Sequence, residues 1–292
     1  MSMFSNSDLM TDARTVDIDG RPRTFAVIRD AGVSEAPAVL LLFHGSNQTG
    51  RGFRIATGDS FDRLAVGGST LVVYLDGYKA HWNDARASID FAARKENIDD
   101  VAFTRAVIDD LVATLSVDRG RVFALGYSNG GQMVWRLADE APELLAGIAF
   151  VGASRPAADN LVVKQPRSWP LPALLIHGTK DPLVPYGGGI ASLWGFRPRG
   201  EVISAQTSAE YVAQRNGFTS APTIRALGAD VELTEYRSAG HLPVSLYTIN
   251  DGGHTVPGRR TFARMLGRTS HTFETASVVG QFFGLGPAPI SG

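Results

Sequence analysis

One pentapeptide constrains this chain more than any other feature. Gly126-Tyr127-Ser128-Asn129-Gly130 reads G-x-S-x-G, the pattern of a nucleophile elbow. The run Arg121-Val122-Phe123-Ala124-Leu125 before it suits a buried parallel strand. After it, Met133, Val134, Leu137 and Ala138 recur at helical spacing, and Pro142 lies just beyond. Strand, sharp turn and helix would lift the Ser128 hydroxyl above the edge of a sheet. Side chains at positions 126 and 130 would crowd that turn. The helix N-terminus favours negative charge developing beside the serine. In a chain with 32 glycines the pentad alone decides nothing; its flanks give it weight. A phosphate-binding loop of the G-x-x-x-x-G-K-[ST] type is not present.

A serine hydroxyl is a poor nucleophile until a base takes its proton. In a fold of this kind an acid and then a histidine follow the serine in sequence. The best acid, Asp181, follows the strand-like run Ala173-Leu174-Leu175-Ile176 and so lies at a carboxyl edge of the sheet. The best histidine, His254, follows Leu246-Tyr247-Thr248-Ile249, where Gly252-Gly253 suits a tight loop. The other histidines have plainer explanations. His44 and His177 each precede a glycine at a strand end and read as hydrogen-bonded structural residues. His241 precedes the last strand, His271 reads as a cap on the final helix, and His81 borders a pocket beside Trp82. Asp251 is a rival acid whose position suits a surface turn.

Several segments together resemble one family. They are Leu42-Phe43-His44-Gly45-Ser46-Asn47-Gln48, Trp82-Asn83-Asp84-Ala85-Arg86, Ile98-Asp99-Asp100-Val101-Ala102-Phe103 and Val117-Asp118-Arg119-Gly120-Arg121-Val122. To these add the serine pentad with Gly131-Gln132-Met133, His177-Gly178-Thr179-Lys180-Asp181, and Leu246 through Thr255. Between about Ala38 and Gly258 the chain resembles esterases of the polyhydroxybutyrate depolymerase and feruloyl esterase group, within the α/β-hydrolase superfamily. The resemblance implies Ser128 as nucleophile, Asp181 as orienting acid and His254 as base. The chain departs from the group at Val256, often a tryptophan there, at Asp251, often a glycine, and in having no cysteine. Those departures bear on the pocket rim rather than on the catalytic residues.

His44-Gly45-Ser46 follows a strand and is expected to supply one oxyanion donor, the Ser46 backbone N–H; the Asn129 N–H supplies the other. An ordinary polar turn is the plainer reading of Ser46-Asn47-Gln48. Trp82 and Trp194 are the candidate substrate-binding aromatics. Trp82 is placed near the site by the resemblance, with a buried structural indole as its alternative. Trp194 and Phe196 sit among glycines between positions 187 and 200, a small lid or pocket wall, or else a local hydrophobic anchor.

At 292 residues, 44% hydrophobic and 20% charged, the chain can bury a large core. No linker divides the motifs, so positions 1–292 are expected to form a single α/β-hydrolase domain. Its strands, which include a first hairpin around Asp19-Gly20, alternate with helices, as in a mostly parallel sheet covered on both faces. A net charge of −1 with scattered basic residues suggests neither a nucleic-acid nor a membrane partner. The expected partner is a small-molecule ester. The absence of cysteine excludes disulfides and thiol chemistry, and no metal or organic cofactor is expected. Met1 to Asp8 lack a basic start and apolar run, so the cytoplasm is the expected location; removal of a leader would make the protein a secreted one. The expected reaction is ester hydrolysis through an acyl-enzyme, on small or aromatic, feruloyl-type acyl esters or on short polyester oligomers. An amidase or peptidase using the same triad is the alternative. A non-catalytic binding protein on a hydrolase scaffold is the third reading, disfavoured because no triad member is missing.

Overall fold

A computed structural model describes residues 9–286. Met1 to Asp8, on which the expectation for the N-terminus rests, lie outside the described residues. The first hairpin joins β1 (Leu9–Ile18) to β2 (Arg21–Asp30) through Asp19 and Gly20. Both turn residues have positive φ, 52° and 75°, as the tight turn between twisted strands requires. There follow β3 (Ala38–Phe43), α1 (Gly50–Ala56), β4 (Thr70–Leu75), α2 (Ala92–Lys95), α3 (Asp100–Leu115), β5 (Val122–Tyr127), α4 (Asn129–Glu140) and β6 (Gly147–Val151). The chain continues through β7 (Ala173–Gly178), the short pair β8 (Gly189–Ile190) and β9 (Glu201–Val202), and α5 (Ala205–Arg215). It ends with β10 (Thr223–Ala226), β11 (Val231–Tyr236), β12 (Val244–Ile249) and α6 (Thr275–Phe283).

Ten strands form one sheet in the order β1-β2-β4-β3-β5-β6-β7-β12-β11-β10. The six from β4 to β12 run parallel, and antiparallel strands extend both edges. The central strands are apolar at nearly every position because both faces are covered. Val39, Leu41 and Phe43 join a core with residues of α3, α4 and α5. Their neighbours Leu40 and Leu42 point the other way, into a core with Phe53 of α1 and with Val279 and Phe283 of α6. Helix starts are chemically marked. Asp99 caps α3 by accepting from the Ala102 N–H, and Ser204 caps α5 by accepting from the Thr207 N–H. His271, expected as a cap, bonds instead to the Gly258 carbonyl; Glu274 occupies the cap position of α6.

Candidate active site

The site is built at the carboxyl ends of β5, β6, β7 and β12. Ser128 lies between β5 and α4 with φ 54° and ψ −117°, a strained conformation for a non-glycine residue. The surroundings hold it there. A Cβ on Gly130 would come within 2.1 Å of the Phe43 carbonyl oxygen, and one on Gly126 within 2.2 Å of the Gly130 carbonyl oxygen. Glycine at 126 therefore lets the turn close on itself, and glycine at 130 lets it press against β3. The Ser128 N–H donates to Val151 O at 2.9 Å, which ties the elbow to the end of β6.

His254 reaches the same edge from the loop after β12. Its Nδ1 donates to Asp181 Oδ2 at 2.6 Å, and both side chains are buried. Gly152, the residue after Val151, lies beneath the ring: with φ +59°, its Cβ would stand 3.0 Å from His254 Nδ1. The Tyr127 hydroxyl, on the residue before the serine, donates to the His254 carbonyl at 2.7 Å. Burial, with Asp181 nearby, raises the pKa of this phenol, so it serves as a neutral donor. His254 Nε2 makes no hydrogen bond among the described residues.

Asp181 is gripped from several sides. Its Oδ1 accepts from the Leu183 and Val184 N–H groups, each at 2.8 Å. Burial alone would raise its pKa, but the charge of His254 and bonds from His177 and His254 prevail and hold the carboxyl below its ordinary range. His177 was read in the sequence only as a strand-end structural residue. Its Nε2 lies 3.3 Å from the same Asp181 oxygen and 2.9 Å from Val184 O, and its Nδ1 accepts from Ser154 Oγ at 3.3 Å. A hydrogen-bonded serine–histidine pair, Ser154 with His177, thus also meets the carboxylate. The signal was its four-residue spacing from Asp181 across a strand-to-loop turn.

The loop after β3 stands across from the elbow. His44 is buried; its Nε2 accepts from the Gly77 N–H at 2.9 Å, so the proton sits on Nδ1 and is donated to Gly45 O at 2.7 Å. Burial lowers its pKa to about 4 and keeps it neutral. The Ser46 N–H donates to no group among the described residues. The Asn129 N–H belongs to the first helical position of α4, where backbone donors are left over. Asn129 is locked by its side chain, which accepts from the Trp82 N–H at 3.0 Å and donates to Asp84 Oδ2 at 2.6 Å.

Trp82 corrects one expectation. It is 0% exposed, so no substrate can lie against it. Its indole N–H donates to His44 O at 2.9 Å and its ring packs edge-on to Phe43. It supports the two loops from below. Trp194 is 43% exposed, with its indole N–H on Met265 O at 3.1 Å. The neighbouring Leu266 carbonyl accepts from the His254 N–H, so Trp194 stands beside the histidine loop. A wide recess of about 1110 Å³ at Asp230, Phe262, Arg268 and Thr272 is lined by none of Ser128, Asp181 or His254. Among the described residues, no group of three or more His, Asp or Glu side chains is arranged to hold a metal ion. No helix among them is long and apolar enough to cross a membrane.

Residues 24–193 match the phospholipase/carboxylesterase family of α/β-hydrolases. The chain belongs to this family. The carboxylesterase family match agrees with two similar proteins. "Putative esterase NocK" of Nocardia uniformis subsp. tsuyamanensis is 29% identical over 294 residues, covering 94% of this chain and 83% of that protein. Feruloyl esterase B of Piromyces equi is 28% identical over 204 residues, covering 68% of this chain but only 36% of that protein. Acetyl xylan esterase from Aspergillus awamori shares the fold, with a TM-score of 0.61 at 14% identity, over 94% of this chain and 99% of that one. This family member is therefore a serine ester hydrolase on an α/β-hydrolase fold.

Proposed function

We propose that Ser128 is the nucleophile, His254 its general base and Asp181 the acid that orients the base. The observation that carries this is the 2.6 Å bond from His254 Nδ1 to Asp181 Oδ2, made over the strand edge where Ser128 is held at positive φ. That bond puts the proton on Nδ1 and leaves Nε2 to accept from the serine. Ser128 attacks the ester carbonyl, and the Ser46 and Asn129 N–H groups hold the oxyanion. His254 passes the proton to the leaving alcohol. It then activates water, which cleaves the acyl-enzyme and regenerates Ser128. Asp181 stays ionised throughout and stabilises the imidazolium.

Substrates are small or aromatic acyl esters, with hydroxycinnamoyl esters and short polyester oligomers favoured. The support for aromatic esters is the likeness to a feruloyl esterase and the exposed Trp194 beside the histidine loop, on a segment from 187 to 200 that serves as a pocket wall. A fluorophosphonate probe followed by peptide mass spectrometry tests the nucleophile. Labelling at Ser128 is expected; labelling at Ser154 would move the triad. Matched ester and anilide substrates test the bond, with the ester expected to turn over and the anilide not.

A further inference from the structure

Arg23, Arg86 and Arg155 are buried in this fold, and each is paired with a carboxylate: Asp100, Asp84 and Asp139 respectively. Arg199 is different. It is half-buried on the return limb of the 187–200 segment and forms no ion pair among the described residues. Its guanidinium makes one long hydrogen bond, from NH1 to Ser46 Oγ at 3.4 Å. It also lies 4.9 Å from the centre of the Phe91 ring, on which His81 stacks at 4.0 Å. Arg199, Phe91 and His81 line a recess of about 220 Å³ together with Asn47, Leu193 and Arg197. The turn that carries Ser46 is fixed to the recess wall, because the Asn47 N–H donates to Ala80 O at 3.0 Å.

We propose that this recess is a subsite for a carboxylate carried by the ester substrate, gripped by Arg199. The proposal rests on the reading of Ser46 as an oxyanion donor, since that places the guanidinium one side chain away from the reacting carbonyl. The volume is too small for a whole ligand and suits a single compact group. A planar guanidinium with unused donors binds a carboxylate through two parallel bonds. Asp90 also lines the recess, but it is exposed and forms no ion pair with Arg199 among the described residues. Arg197 adds a second positive charge. Burial, with Arg86 nearby, lowers the Arg199 pKa to about 10, which still leaves it cationic at neutral pH. The carboxylate has two sources: the acyl part, as in a half-ester of a short dicarboxylic acid, or the alcohol part, as in an ester of a hydroxy acid.

The test compares 4-nitrophenyl hemisuccinate with 4-nitrophenyl butyrate for the acyl side, and 4-acetoxybenzoate with the acetate of methyl 4-hydroxybenzoate for the alcohol side. The expected result is an anionic-over-neutral preference in kcat/KM of about 10- to 100-fold in one arm, collapsing to near unity in Arg199→Ala. The arm that responds identifies the source. No preference in either arm, or one that survives in Arg199→Ala, overturns the subsite. Binding of hemisuccinamide and of 4-acetamidobenzoate to Ser128→Ala, measured by calorimetry with and without Arg199→Ala, keeps the test independent of turnover. Loss of affinity on removing the guanidinium supports the subsite even if Ser128 is not the nucleophile. Equal affinity overturns it even if Ser128 is.

Discussion

Two histidines are drawn to one carboxylate, Asp181: His254, which we propose as the base for Ser128, and His177, which is bonded to Ser154. Both histidines approach its Oδ2, at 2.6 and 3.3 Å. They differ in what is left free. His177 has both nitrogens engaged, one by Val184 O and Asp181 and the other by Ser154, and Ser154 is 1% exposed on ordinary backbone. His254 has committed only Nδ1, while Ser128 is partly exposed and held in a strained turn. Contact with the shared carboxylate alone therefore does not separate the proposed catalytic histidine from a structural one. The distinction lies in access and in an uncommitted nitrogen.

Exchanging the serines tests this most severely. Ser128→Ala should lower ester kcat by about 10⁴ or more, while Ser154→Ala should lower it less than about tenfold. Initial rates on a chromogenic ester decide it; the reverse order would transfer the triad to the buried pair. A third buried histidine provides a pH test, since His44, like His177, has both nitrogens occupied. Its folded pKa of about 4 lies below the ordinary 6.5, so the unfolded chain takes up the proton first. The stability it contributes is complete above pH 6.5 and is lost as pH falls from there towards 4, by at most about 3 kcal/mol. Urea unfolding between pH 7 and 4 should show this slope, and His44→Gln should flatten it. An equal slope in the variant would assign the acid sensitivity elsewhere.

His177→Gln offers a gentler probe of the shared carboxylate. Asp181 would lose one of its partners while the proposed pair stays intact, so kcat should fall between about 10- and 100-fold with KM little changed. A loss as large as that of Ser128→Ala would make His177 a member of the catalytic unit rather than a positioning residue. The smallest effect is expected at the rim. Trp194→Ala should lower the ratio of aryl-ester to acetyl-ester kcat/KM by about three- to tenfold, the worth of one aromatic contact. A constant ratio would make Trp194 an anchor for its own loop.

Much of this fold is legible in the sequence. The hairpin at Asp19-Gly20, the central strands and the capped helices α3 and α5 each announce themselves through local chemistry: a turn pair, an unbroken apolar run, an acid or serine ahead of a periodic segment. The edge strands β10 and β11 were missed. β10 is exposed along its whole length, so no burial pattern marks it, and β11 fully buries only Val231 and Leu233. At the site, residues next to glycine-rich turns could be read one by one. The Asp181–His254 partnership was implied by the resemblance; that of His177 with the same carboxylate was not, because the four-residue spacing brings them together only when the loop after β7 folds back. Trp82 shows the same limit. The resemblance placed it at the pocket, whereas burial and the indole bond to His44 O make it the buried structural indole that was its alternative.

The Tyr127 hydroxyl bond to the His254 carbonyl joins residues 127 positions apart in the chain. Such a contact carries the closure entropy of a long loop, so it is expected to form late. During synthesis the elbow emerges long before the loop that meets it, and a nascent chain carries Ser128 without His254. With His254 as the proposed base, the consequence is temporal: the Ser128 hydroxyl stays inert towards esters until the loop after β12 is docked. Appearance of turnover during refolding can then serve as a clock for completion of the sheet, and it should lag the recovery of secondary structure.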